Sequence, residues 1–176
     1  MPLNYTDYIE YCDVYDINRN KTGRRALREH WDLEPGEYHI SVLGIICRTD
    51  GRVLITRRHM NKSWAPGWWE IPGGGVGVGE EPEESVVREL LEETGIDVSG
   101  VKGERIFSYH RENPEERENY IVDVFKFTLD FDEGEIRLQE DETVGYMLAT
   151  SGEIAKLGEE GIFLHYDSIK PAFEMI

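Results

Sequence analysis

The chain has 176 residues, 39% hydrophobic and 31% charged, with a formal net charge of −17, a length that supports one domain, residues 1–176, with a sizeable core. No apolar run approaches the ~18 residues that a membrane-crossing helix needs, and the polar, acidic start MPLNYTDYIEYCDVYD lacks the basic and apolar stretches of a secretory signal, which points to the cytoplasm. So large a negative excess repels polyanions and disfavours a nucleic-acid polymer as partner, but it does not exclude a small phosphorylated ligand screened by cations.

In chain order, residues 1–37 read as an N-terminal extension containing a hairpin over 8–35, which turns at the cluster Asp16 to Gly23. From His39 the β-branched run His-Ile-Ser-Val-Leu-Gly-Ile-Ile-Cys predicts a strand, Thr49-Asp50-Gly51 a hairpin turn, and Arg52 to Thr56 the returning strand. Arg57 to Gly67 reads as a polar loop, and Trp68 to Ile71 as a short aromatic strand that stops at Pro72-Gly73-Gly74-Gly75. Pro82 suits the first position of a helix, Glu83 and Glu84 suit the positive end of its dipole, and Gly95 ends it. Beyond it, Arg105–Tyr109 and Tyr120–Leu129 alternate as strands around a polar loop at 111–119, and 151–157 and 168–175 read as two further helices. Cys12 and Cys47 sit in apolar, strand-like surroundings without CxxC spacing, so both read as buried reduced thiols.

On the helix, Val86, Val87, Leu90 and Leu91 fall within an arc of about 140°, and Glu89, Glu92 and Glu93 within about 100° on another side. Carboxylates at these spacings repel one another by a few tenths of a kcal/mol per pair, unless cations occupy them. An acidic helix face is by itself usually only solvated, and the surrounding spacing is what changes the reading. Gly74, five residues, Glu80, seven residues, Arg88-Glu89-Leu90, one residue, Glu92-Glu93, one residue, Gly95-Ile96 is a 23-residue pattern, 74–96, that arises by chance on the order of 10⁻⁹ per start point at average residue frequencies.

This segment resembles the Nudix box in full, and Trp69-Glu70-Ile71-Pro72-Gly73-Gly74 resembles the strand and turn that precede it in Nudix hydrolases. The resemblance implies an α/β (α+β) fold: an α/β/α sandwich with a mixed β-sheet and an N-terminal β-hairpin extension. It implies a metal-dependent hydrolase that cleaves a diphosphate linkage by water attack on phosphorus. Glu89, Glu92 and Glu93 match the carboxylates that bind divalent metal and the Gly73 carbonyl matches a backbone ligand, a hard-oxygen set suited to Mg²⁺ or Mn²⁺. Arg88 matches the arginine that orients these carboxylates. The general base is either a box glutamate or a carboxylate of the loop Gln139 to Val144, where Glu142 fits best; Leu148 stands where many relatives carry tryptophan. The glycines at 73–75 let the backbone approach metal and phosphate, and also fit a plain turn.

For the substrate, Arg57, Arg58 and Lys62 are candidate phosphate contacts, with at most one of the two arginines facing it, since neighbours in a strand point opposite ways. Trp68, Trp69, Phe107, Tyr109 and Tyr120 are candidates for stacking on a base, weighed against ordinary core roles. The stretch Asp13 to Gly23 with Arg28 and Glu37-Tyr38-His39 is similar to a Nudix branch that includes isopentenyl diphosphate isomerases. Those enzymes use a strand cysteine before a degenerate box, whereas this chain has Glu70-Ile71-Pro72-Gly73 and an intact box. A catalytically silent nucleotide sensor is a further alternative. Tyr109 and Pro114, 13 and 18 residues past Ile96, do not fit the spacings for ADP-ribose or dinucleoside polyphosphates. Nucleoside di- or triphosphates and other organic diphosphates stay open as substrates, and a homodimer is compatible with the sequence.

Overall fold

The run from His39 to Cys47 is apolar on both faces, which marks a strand with no solvent side. In the computed structural model, which describes residues 11–176, it is the centre of the main sheet. The elements are β1 (Tyr11–Tyr15), β2 (Lys21–Leu27), β3 (His39–Cys47), β4 (Val53–Arg58), β5 (Trp69–Glu70), β6 (Gly73–Gly75), α1 (Pro82–Thr94), β7 (Glu104–Asn113), β8 (Glu118–Thr128), β9 (Thr143–Ala149), α2 (Ser151–Glu159) and α3 (Tyr166–Phe173). The sheet runs β5-β4-β3-β8-β7, with β6 added to β3 and β9 to β4. The β3–β8 pair is parallel and its other pairs antiparallel, so the sheet is mixed as expected.

Successive side chains of β3 point to opposite faces, and each face has its own helix layer. Ile40, Val42 and Ile46 pack with Val86 and Leu90 of α1, while Ile45 and Cys47 pack with Ile154, Ile169, Ala172 and Phe173 of α2 and α3. Burying a side chain such as Leu90 completely contributes roughly 2–3 kcal/mol. The result is an α/β/α sandwich. Both cysteines are free and buried, and burial pushes the Cys12 thiol up to about 11.

Three expectations change. The β3–β4 hairpin pairs only at Cys47 and Val53; beyond that the strands diverge, and β6 takes the place beside β3, Leu43 opposite Gly73 and Ser41 opposite Gly75. The polar loop at 111–119 is mostly strand, with Arg111 opposite Tyr120 and Asn113 opposite Glu118, because polar side chains facing solvent or a cleft are compatible with a ladder held by main-chain bonds. Leu91, expected on the packed arc of α1, is 47% exposed, and Val87 is only half-buried.

The N-terminal hairpin forms from β1 and β2, paired from Tyr11–Leu27 to Tyr15–Lys21; residues 8–10 of the expected hairpin lie outside the described residues. At its tip Arg19 has φ 69° and reaches the sheet, donating through Nη1 to Asp123 Oδ2 at 2.7 Å and through Nη2 to Ser108 Oγ at 2.7 Å. Tyr15 and Tyr38 exchange backbone hydrogen bonds of 2.8 Å. Tyr15 pairs with Lys21 beside the turn, so both anchors hold the hairpin at its tip end.

Candidate active site

The box folds as loop, helix and loop. Glu84 accepts from the Glu81 N–H at 3.2 Å at the start of α1, and Gly95 closes the helix in the left-handed region at φ 77°, its N–H donating to the Leu91 carbonyl. Before the helix, β6 lies against it so closely that a Cβ on Gly74 would overlap the Glu89 carboxylate. A side chain there would push that carboxylate from its place. Glu89 is thereby buried, 8% exposed, and Glu93 accepts from the Gly73 N–H at 3.2 Å, while Glu92 is exposed.

Arg88 organises this group. Its Nε and Nη2 donate to the two oxygens of Glu80 at 2.8 and 2.9 Å, Nη1 donates to Glu89 at 2.9 Å and Glu92 at 3.2 Å, and Nη2 also reaches the Gly75 carbonyl at 3.3 Å. A guanidinium has five N–H groups, and all five are engaged within the box. Burial pulls Glu80 up, but the bonds from Arg88 and the Gly77 N–H outweigh it and leave its pKa below the usual range.

Glu93 behaves differently. Burial, and then the charges of Glu70 and Glu89, push its pKa well above the ordinary carboxylate value, and burial likewise raises Glu89 and Glu70. Glu70 is a member of this carboxylate group that the motif does not include; the signal in the sequence is a lone charge inside the apolar run Trp-Trp-Glu-Ile. It accepts from Arg58 Nη1 at 3.2 Å. Buried carboxylates with so few donors carry uncompensated charge and free lone pairs, the condition that a hard divalent cation relieves. Among the described residues no three acidic side chains close on a common point as they stand; Arg88 draws Glu89 and Glu92 toward itself.

A cleft of about 1170 Å³ opens beside this group, lined by Glu70, Gly73–Gly75, Arg88, Glu89, Glu92, Glu93 and Glu142 on one side and by Tyr109, Arg111, Tyr120 and His165 on the other. Glu142 forms an ion pair with Lys62. Of the expected phosphate contacts, Arg58 lines the cleft, but its guanidinium is engaged by Glu70 and by the Trp64 carbonyl at 3.3 and 3.1 Å. Arg57, Lys62 and Trp69 are not among the lining residues; Arg57 donates to the Gly67 carbonyl at 2.9 Å and lies 5.8 Å from the Trp69 ring. Of the stacking candidates, Tyr109 and Tyr120 line the cleft, while Trp68 and Phe107 do not. Arg28 and Arg111 also line it; in the sequence Arg28 stands out only within the isomerase-branch resemblance, and neither stands out as a phosphate contact.

A three-layer sandwich with a carboxylate helix packed on a glycine turn defines a family of phosphate-handling enzymes. The NUDIX domain model matches residues 37–163, and the chain belongs to that family. It is a hydrolase, as its relatives' names state. An uncharacterized Nudix hydrolase of Listeria monocytogenes is 29% identical over 170 residues, 95% of each chain, and an 8-oxo-dGTP diphosphatase of Proteus vulgaris is 42% identical over 67 residues, 38% of this chain and 58% of that one. Among solved structures, DR0079 of Deinococcus radiodurans has a TM-score of 0.68 at 20% identity, covering 85% of this chain and 90% of that one, which shows the shared fold. A MutT protein of Methanosarcina mazei has a TM-score of 0.56 at 26% identity, covering 70% and 95%. Nudix hydrolases use divalent metal ions and act on small phosphorylated substrates. Among the described residues, no helix is long and apolar enough to cross a membrane.

Proposed function

We propose that this chain hydrolyses a diphosphate linkage in a small phosphorylated metabolite, a nucleoside di- or triphosphate or a related organic diphosphate, with Mg²⁺ or Mn²⁺ as cofactor. The observation that carries this is the packing of Glu89 beneath Gly74 and of Glu93 against the Gly73 N–H, which concentrates buried negative charge on the wall of a large cleft. Names among the relatives, 8-oxo-dGTP diphosphatase and RNA pyrophosphohydrolase, support the reaction class.

Glu89, Glu92, Glu93 and the Gly73 carbonyl hold the cation in this reading. When bound, it withdraws charge from the phosphoryl oxygens and makes a neighbouring water more acidic. Arg88 positions the carboxylates and has no N–H left for substrate. A carboxylate, either a box glutamate or Glu142, takes the proton as water attacks phosphorus in line with the leaving group. Glu70 sets the orientation of Arg58 at the cleft wall.

The test is a screen of nucleotides, nucleotide sugars, dinucleotides and isoprenoid diphosphates with Mg²⁺ in ¹⁸O-labelled water. The expected result is label in one phosphoryl product. A double-bond shift in an isoprenoid diphosphate left whole refutes the reading and promotes an isomerase.

A further inference from the structure

The cleft has a corner that diphosphate cleavage does not use. Tyr109 and Arg111 stand two residues apart on β7, so they project from one face of the sheet, and both line the cleft. The Tyr109 hydroxyl is buried with no hydrogen-bond partner; burial also raises its pKa, so it keeps its proton and is available as a donor. Arg111 donates through Nε and Nη2 to Ser168 Oγ at 3.2 and 2.9 Å and meets no carboxylate in ion-pair contact among the described residues. In a chain with 36 acidic residues and 19 lysines and arginines, a cleft arginine without an acid partner is a cation held available. The nearby His165 adds no second positive charge: burial, Arg111 and Arg58 lower its pKa to about 4 and leave it neutral.

The corner lies at a definite place relative to the box. Tyr109 is opposite Val122, Val122 is beside Ser41, and Ser41 is opposite Gly75. These four residues form one row across the sheet, so Tyr109 is three strand spacings, about 14 Å, from the glycine turn. Between the two ends the wall is aromatic, with the Tyr120 and His165 rings 6.4 Å apart and the Trp64 and His165 rings 5.4 Å apart.

We propose that Tyr109 and Arg111 bind an oxygen acceptor on the organic end of the substrate, a ring carbonyl or a distal phosphate, about three strand spacings from the scissile diphosphate. This rests on the diphosphate reading and sharpens it. A substrate with a wholly apolar tail leaves the buried Tyr109 hydroxyl unsatisfied and gives the exposed Arg111 guanidinium nothing to bind beyond Ser168 and water, and sites that lose a buried hydrogen bond discriminate against the analogue.

The experiment compares uridine 5′-diphosphate, which offers ring carbonyls, 5-phosphoribosyl 1-diphosphate, which offers a distal phosphate, and geranyl diphosphate, which offers neither, all with Mg²⁺. The wild type should favour one of the first two by at least ~10-fold in kcat/KM. Tyr109→Phe and Arg111→Ala should each raise KM for that substrate ~10-fold, with kcat within about threefold and geranyl diphosphate unaffected. Titration calorimetry with a methylene-bridged analogue of the favoured substrate should show the same loss of affinity, and Arg25→Ala, on the exposed hairpin, should show none. Preference for geranyl diphosphate, an equal loss on all three substrates, or no change in KM overturns the proposal while leaving hydrolysis standing. If the wild type cleaves none of the three and nothing in the wider panel, the diphosphate reading falls and takes this proposal with it.

Discussion

Arg88 grips Glu80 through two parallel hydrogen bonds, 2.8 and 2.9 Å long, which hold its guanidinium against the box at the edge of the cleft. Removing the arginine leaves the buried Glu89 and the half-buried Glu80 without their charged partner. Arg88→Ala should therefore lower stability by roughly 2–3 kcal/mol in urea unfolding and kcat by at least ~10-fold. An active, fully stable variant would contradict its positioning role.

Glu92→Gln and Glu93→Gln should separate activity from stability. Each removes an anionic ligand and should lower kcat by at least ~100-fold, yet the melting temperature should hold for Glu92→Gln and hold or rise for Glu93→Gln, whose carboxylate is crowded by Glu70 and Glu89. Wild-type turnover in both would reduce the acidic helix to a solvated face.

Chelation should abolish activity while circular dichroism and the melting transition persist, because the two apolar layers do not depend on the cation. Mg²⁺ or Mn²⁺ should restore turnover and Ca²⁺ should do so poorly, being larger and less strict in geometry. Full turnover in excess chelator refutes the dependence.

Glu142→Gln tests the base. Label incorporation from ¹⁸O water should slow by ~10²–10⁴-fold if Glu142 accepts the proton. An unchanged rate assigns that task to a box glutamate and leaves Glu142 as the partner of Lys62.

His165 gives a pH signature. Its folded pKa, lowered to about 4, lies below the ordinary 6.5, so the unfolded chain takes up a proton first as pH falls. Stability is unaffected by this group above pH 6.5 and declines between about 6.5 and 4. Asparagine tolerates the left-handed backbone at this position, φ 52°. Urea midpoints of wild type and His165→Asn, measured from pH 7.5 to 4.5, should show the wild type losing on the order of 1–3 kcal/mol more. Parallel curves would mean that the ring is not held neutral.

What the sequence made legible depended on how local the physics was. Pro82 and Gly95 bound α1 because a fixed φ and a left-handed cap are properties of single residues. The carboxylate group around Glu89 and Glu93 was legible because its spacing is written on one helix. Arg111 joins the site only through strand order, which puts β7 beside the cleft, and the same order brings in the stacking candidate Tyr109; Glu70 stands next to the box in sequence, but its place among the carboxylates shows only in the packing. The same applies to 111–119: polar side chains without alternation read as loop, and only pairing with the other arm makes them strand. Arg57 and Trp69 were attractive by type and proximity to the box, but their side chains turn to each other instead of the cleft.

The family match runs from residue 37 to 163, and three residues of the cleft wall fall outside it: Arg28 on one side, Leu164 and His165 on the other. The segments carrying them are tied back, the first through Arg19 and Asp123, the second through the backbone bond of Leu164 to the Trp69 carbonyl at 2.8 Å. A chain trimmed to the matched span would keep the box but lose these three wall residues, and with them α3, whose Ile169, Ala172 and Phe173 belong to the core. Transplanting those two flanking segments between relatives is thus a route to exchanging substrate preference without touching the box.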